Sequence, residues 1–151
     1  MDIVTLDEKQ IYGMSVRTTN SQEMNPETAR IGKTWQTFDQ KVSVDYQGGE
    51  RVYGVYYDYE SDASGEFNVL AGTEKVDEAL EKVTIRSGKY VVFKGLALAP
   101  DDQARVEAVI KTWGEVWDYF SNPDSAHKRA YTTDFEHYKN PTEIDIYISI
   151  I

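Results

Sequence analysis

The sequence predicts an α+β fold: two fused βαββ units sharing one curved antiparallel sheet, with two helices on one face. Three observations carry that expectation. Two stretches repeat apolar residues at helical spacing, several others are β-branched and aromatic between turn signals, and the chain repeats itself at an offset of 78 residues.

The first helix is expected over residues 26–46. Asn25 is a favoured N-cap, Pro26 suits the first helical position, and Ile31, Trp35, Phe38 and Val42 recur along one stripe. The second helix opens at Pro100-Asp101-Asp102, where two carboxylates meet the positive end of the helix dipole. Val106, Val109, Ile110, Trp113, Val116, Trp117 and Phe120 share its apolar face, and Ser121-Asn122-Pro123 stops it. Strands are expected over 11–17, 52–59, 67–75, 82–85 and 90–98, bounded by Gln47-Gly48-Gly49-Glu50, Ser87-Gly88 and Asn140-Pro141. The last strand alternates, with Ile144, Ile146, Ile148 and Ile150 on one side and Glu143, Asp145, Tyr147 and Ser149 on the other.

The repeat orders these elements. Lys33-Thr34-Trp35 returns as Lys111-Thr112-Trp113, and at the same offset Tyr12 meets Tyr90 and Asp58 meets Glu136. The halves, about residues 1–76 and 77–151, each read strand, helix, strand, strand within one domain over 1–151. Neither half covers its sheet alone, so the two should share one.

Composition removes several classes of function. There is no Cys, hence no disulfide, thiolate metal site or Cys nucleophile, and His127 and His137 are too few for an all-His metal site. The net charge of −10 is spread evenly, −6 over residues 1–75 and −4 over 76–151, so no basic patch offers direct nucleic-acid binding. No apolar run approaches a membrane span, and no basic, apolar leader directs export; a cytoplasmic location is expected. Nucleophile-elbow, Walker, dinucleotide and H-E-x-x-H patterns are absent, so no enzyme and no cofactor is indicated.

What stands out is aromatic content: three Trp, eleven Tyr and five Phe in a chain of modest hydrophobicity. Such an excess suits a surface that must be apolar and polar at once. The two helices should leave a groove at the seam between the halves, faced by Trp35, Phe38, Trp113 and Trp117. Taken singly, each of these aromatics reads sooner as core filling than as pocket wall; the aromatic excess across the whole set favours a pocket. Tyr53-Gly54-Val55-Tyr56-Tyr57-Asp58-Tyr59-Glu60 mixes four Tyr with carboxylates, and Asp134-Phe135-Glu136-His137-Tyr138 does the same in the other half. A carboxylate among aromatic rings in a recess would receive an organic cation. The alternative is that Asp58, Glu60 and Glu136 are solvent-facing strand charges.

These same segments resemble the GyrI-like effector-binding domains, the AraC-type, SOUL-like βαββ pseudo-repeat proteins. Tyr53 to Glu60, then Gly65-Glu66-Phe67 and Leu70-Ala71-Gly72-Thr73-Glu74, is similar to that family's first hairpin. Thr84 to Phe93 resembles the strand opening its second half, Asp134-Phe135-Glu136-His137-Tyr138 its F-E-x-Y motif, and Glu143 to Ile148 its closing strand. The resemblance runs from about residue 9 to the C-terminus. It implies small-molecule sensing, often of bulky lipophilic cations, with the F-E-x-Y carboxylate on the pocket floor. That role falls on Glu136, with Tyr138 beside it and Tyr57, Trp35, Phe38, Trp113 and Trp117 as walls. The chain departs from the family's frequent Pro at Arg86 and at Ser149.

Only about eight residues precede the matching region, too few for a helix-turn-helix. The expectation is therefore a stand-alone member, like those carried on mobile integron cassettes, binding an organic cation without direct nucleic-acid or membrane contact, as a monomer or homodimer. The alternatives are a protein-interaction module acting on a topoisomerase such as DNA gyrase, and a hydrolase acting on the bound ligand.

Overall fold

The computed structural model describes residues 2–151. Its strands are β1 (Asp2–Leu6), β2 (Lys9–Thr18), β3 (Val52–Tyr57), β4 (Phe67–Thr73), β5 (Glu81–Ile85), β6 (Gly88–Leu96), β7 (Thr133–Tyr138) and β8 (Glu143–Ser149). Its helices are α1 (Asn20–Glu23), α2 (Ile31–Lys41) and α3 (Asp102–Ser121). All eight strands form one antiparallel sheet in the order β1-β6-β8-β7-β3-β4-β2-β5. Exchanging β1 with β5, β2 with β6, β3 with β7 and β4 with β8 returns the same order read from the opposite edge. A pseudo-twofold axis therefore passes between β3 and β7.

The expected α+β architecture is what the chain forms, with one addition. Each half begins with an extra strand that crosses to the other half: β1 pairs with β6, and β5 pairs with β2. The Asp-Ile-Val-Thr-Leu of β1 is a short edge strand and carries little signal of its own. Side chains from all eight strands meet on the sheet face away from the helices. Ile11, Tyr53, Val55, Leu70, Val83, Ile85, Tyr90 and Phe135 are buried there, with Val4, Leu6 and Tyr147 packed against them. Such a cluster spans both sheet edges, so the sheet curls around it into a half-barrel.

That curl explains why β8 is buried on both sides. Ile144, Ile146, Ile148 and Ile150 share one side as expected, and that side packs against α3. Asp145 and Ser149, on the opposite side of the strand, are also buried, and Tyr147 stacks on Phe135 at 4.5 Å. The departures from the family pattern have a structural use as well. Arg86 donates its backbone N–H to Thr133 Oγ1 at 3.0 Å, and Ser149 donates its own to Asp134 Oδ1 at 2.8 Å. Proline could supply neither bond.

Helix α3 starts where expected, with the Asp101 carboxylate accepting from Ala104 N at 2.8 Å. Helix α2 is shorter than the expected 26–46. Asn25 and Pro26 lie in a separate turn closed by the bonds of Thr28 and Ala29 to the Asn25 carbonyl. The chain breaks at Arg30 (φ −125°), and the α2 N-terminus is capped instead by Glu23, which accepts from Arg30 N and Ile31 N. At the far end Val42 turns extended, so the helix stops at Lys41. The strand expected over 52–59 ends at Tyr57, because Asp58 adopts a left-handed backbone (φ 54°). No helix among the described residues is long and apolar enough to cross a membrane.

Close backbone approach sets one strict requirement. A Cβ at Gly13 would lie 1.8 Å from the Ala71 carbonyl oxygen, inside the β2–β4 ladder. Gly13→Ala should lower stability by about 2–3 kcal/mol. Gly32, on α2 with open space around it, should tolerate Ala and gain up to about 1 kcal/mol. Urea midpoints of the two variants, at unchanged m-value, check both signs.

Candidate ligand-binding groove

β3 and β7 run side by side at the pseudo-axis, and their register sets Gly54 opposite Glu136. A Cβ on Gly54 would lie 2.8 Å from Glu136 Oε1 and 3.0 Å from Trp35 Cζ2. The missing side chain is what makes room for the carboxylate and the indole edge.

Glu136 is 2% exposed and accepts three hydrogen bonds. Tyr56 and Trp113 donate to Oε2, and Tyr138 donates to Oε1, each at 2.8 Å. Tyr56 stands two residues beyond Gly54 and Tyr138 two beyond Glu136, so the two central strands each bring one phenol to the carboxylate; Asp58, aligned with Glu136 in the repeat, lies beyond the end of β3, and Gly54 is the residue opposite. The pseudo-axis relates Trp35 to Trp113, the tryptophans of the repeated Lys-Thr-Trp. Their roles differ: Trp113 bonds the carboxylate, whereas Trp35 packs edge-on against Tyr138 at 5.3 Å.

All three donors are neutral. Burial pushes the Glu136 carboxyl above its ordinary 4.5, and the hydrogen bonds from Trp113, Tyr56 and Tyr138 pull it back toward the ionised form. No cation enters this balance. Burial and the adjacent carboxylate hold the Tyr56 and Tyr138 phenols well above their ordinary 10, so both remain donors.

A groove of about 530 Å³ opens on the Tyr56–Trp113 side of this carboxylate. Tyr56, Phe67 and Tyr59 form an aromatic floor, with Phe67 5.9 Å from Tyr56 and 5.8 Å from Tyr59. Val109, Trp113 and Trp117 of α3 form one wall; Met24 and Ile31 form the opposite rim. Glu136 is not itself in the lining; Tyr56 and Trp113, which are, both bond to it. The volume is in the range of small-molecule sites.

The expected site residues therefore divide. Glu136, Trp113 and Trp117 stand at the groove or directly behind it, Trp117 on its exposed rim. Trp35 and Tyr138 adjoin the carboxylate on the closed side. Phe38 is fully buried with Val52 and Ala71, as core. Tyr57 is not a wall: it packs with Tyr53 and Val55 on the face turned away from the helices, and Tyr56 holds the place expected of it. Asp58 is exposed and sits 3.6 Å from Arg17, and Glu60 is exposed too, which leaves both as solvent-facing charges. His137, stacked on Tyr53 at 4.7 Å, is pushed down to about 4 by burial and lies on that same far face.

Sequence reading missed Tyr56, Tyr59 and Arg129. Strand parity from Gly54 would have pointed to Tyr56. Arg129 lines the groove from the 122–132 connection, where no periodicity exists to place it. It bonds Asp134 Oδ2 at 2.7 Å, with side-chain exposures of 7% and 0%, and Tyr59 donates to the same oxygen at 2.5 Å.

A family model described as integron-associated effector binding protein, Cass2, matches residues 2–150. The chain belongs to this Cass2 family. It is similar to an integron cassette protein from the mobile metagenome of Vibrio cholerae, at 38% identity and TM-score 0.83 over 99% of this chain and 95% of that one. It is 30% identical to YobU of Bacillus subtilis (strain 168), a protein named as a transcriptional regulator, over 98% of this chain and 96% of that one. The fold also matches that of SAV2435, solved bound to tetraphenylphosphonium, with TM-score 0.60 at 15% identity over 99% of this chain and 93% of that one. The Cass2 match agrees with the effector-binding resemblance carried by the motifs.

Because folding raises the Glu136 pKa, the native chain holds that proton more tightly than the unfolded one. The associated stability is fully present below the ordinary 4.5 and is lost as pH rises through the raised value. Glu136→Gln is isosteric; its amide oxygen can accept from Tyr56 and Trp113, and its NH₂ can donate to Tyr138. The variant should gain stability relative to wild type as pH climbs from about 4 to 7. Urea unfolding across that range measures the difference; a gap that stays flat with pH contradicts the charge argument.

Proposed function

We propose that this Cass2 protein is an effector-binding protein for amphipathic organic cations, which enter the groove between α3 and the α1–α2 segment with Glu136 as counter-charge. One observation carries the reading: a buried carboxylate satisfied by three neutral donors, with no cation of its own, beside an aromatic-floored groove. A ligand cation over Tyr56 and Trp113 gains attraction from both ring faces and from the carboxylate behind them, in a site where burial weakens screening. The tetraphenylphosphonium held by SAV2435 supports this ligand class, and the name of YobU supports a sensing role in transcription. Binding without direct nucleic-acid contact, in the cytoplasm, accords with the even acidity.

A binding role is favoured over hydrolysis by the state of the second carboxylate. Asp134 is occupied by Arg129, Tyr59 and Ser149 and is not free to direct a water.

Titrating tetraphenylphosphonium against tryptophan fluorescence tests the proposal. Saturable quenching is expected, and Glu136→Gln should weaken binding by about 1.5–3 kcal/mol while leaving neutral triphenylmethanol almost unaffected. Equal loss for both compounds would show a structural carboxylate. Affinity for the cation should also fall as pH drops through the raised Glu136 pKa, since protonation removes the counter-charge.

A further inference from the structure

Glu136 is not alone at this groove in lacking a cationic partner. Glu23, the last residue of α1, is half-buried and stands in the groove lining with Asn20, Met24 and Ile31. Its three hydrogen bonds come from neutral donors. Thr18 Oγ1 at 2.6 Å and Arg30 N at 2.9 Å donate to Oε2, and Ile31 N at 3.1 Å donates to Oε1. No Lys, Arg or His side chain pairs with it among the described residues. The neighbouring guanidiniums are engaged elsewhere: Arg17 pairs with Asp58 and Glu66, and Arg30 donates to the Arg17 carbonyl oxygen. Only the N-terminal end of α2 answers the charge, with about half an elementary charge of opposite sign.

Capping alone does not call for this arrangement. Helix α3 is capped by its own N-cap residue, Asp101, which is exposed to solvent. A short polar side chain at position 30 would do the same for α2. Position 30 is instead Arg, with no side-chain cap bond, and the acceptor comes from α1 at the groove rim. The result is a carboxylate in the lining of an apolar groove. Each carboxylate oxygen accepts about two hydrogen bonds, so the open acceptor position is on Oε1.

The two carboxylates offer different chemistry. Glu136 is covered by Tyr56 and Trp113 and acts on a ligand through those rings, which suits a diffuse lipophilic cation. Glu23 lines the groove itself, which suits a cation with an N–H to donate in a charge-assisted bond. Arg129, the cation of the lining, is paired with Asp134 and leaves a second positive centre unopposed. Beside Glu23, Met24 is 86% exposed and gives a ligand's tether an adaptable apolar surface.

We propose that the α1 rim is a second cation subsite in which Glu23 receives an ammonium or amidinium group, so that this chain favours ligands with two positive centres, a lipophilic one over Tyr56 and Trp113 and a hydrogen-bonding one at the rim. This rests on the cation reading of the same groove and extends it to dications.

(ω-Aminoalkyl)triphenylphosphonium probes with tethers from ethylene to hexylene test it, each against the alkyl analogue in which CH₃ replaces NH₃⁺. At the best-matched tether the wild-type protein should bind the ammonium probe about three- to tenfold more tightly, between the worth of an exposed ion pair and that of a buried one. The Glu23 carboxyl carbon-13 resonance should move with that probe and not with its alkyl analogue. Glu23→Gln should bring the affinity ratio close to one. Glu27→Gln, which removes the same charge from an exposed side chain outside the lining, should leave the ratio in place. Should Glu23→Gln fail to fold without its cap, the tether dependence and the carboxyl shift of the wild type decide the matter. A gain absent at every tether, or equal at every tether with an unmoved Glu23 resonance, overturns the subsite while leaving the cation reading intact. Binding of no probe from either series overturns both.

Discussion

One buried carboxyl group with no cationic partner of its own organises this molecule. Glu136 sits where the pseudo-twofold axis crosses the sheet, and an isolated carboxylate in such a place is among the more costly groups a fold can hold. Three neutral donors from three separate elements make it tolerable: a phenol from β3, a phenol from β7 and an indole from α3. That arrangement fixes where α3 lies on the sheet, which phenols face inward, and why β3 carries glycine opposite the carboxylate. It also leaves an electrostatic demand that the protein does not meet from its own residues.

The duplicated architecture supplies the means. Two antiparallel central strands lie side by side at the axis, and each brings one phenol, Tyr56 or Tyr138, to the same carboxylate. Exchange of β1 and β5 between halves lengthens the sheet and lets it curl, burying a second core on its far face. Asymmetry then makes a site out of symmetry. Trp113 leans onto the carboxylate and borders an open groove, whereas its mate Trp35 closes the opposite side against Tyr138.

Much of this was legible beforehand. The α+β class, the repeat and the start of α3 were readable, because periodicity, capping chemistry and motif order are local signals; Glu136 and Trp113, both singled out in the sequence, meet in a hydrogen bond. What escaped depended on pairing at a distance. The edge strand β1 is five residues whose partner lies in the other half of the chain. Helix α2 starts late because Glu23, from the turn before it, caps it in place of Asn25. Adjacent tyrosines look alike until the strand's facing is fixed, so the sequence alone does not separate Tyr57 from Tyr56; Gly54 opposite Glu136 fixes it. Arg129 lies in an aperiodic connection, where only the tertiary fold reveals that it meets Asp134.

The central claim is that the Glu136 carboxylate is ionised without a protein counter-ion and is answered by the ligand's charge. Carbon-13 NMR of the Glu136 side-chain carboxyl, followed through a pH titration with and without saturating tetraphenylphosphonium, addresses it directly. The account predicts a midpoint above the ordinary 4.5 in the free protein and a marked downward shift when the cation is bound. A midpoint that the bound cation leaves unmoved would contradict it, and would make Glu136 a structural group alone.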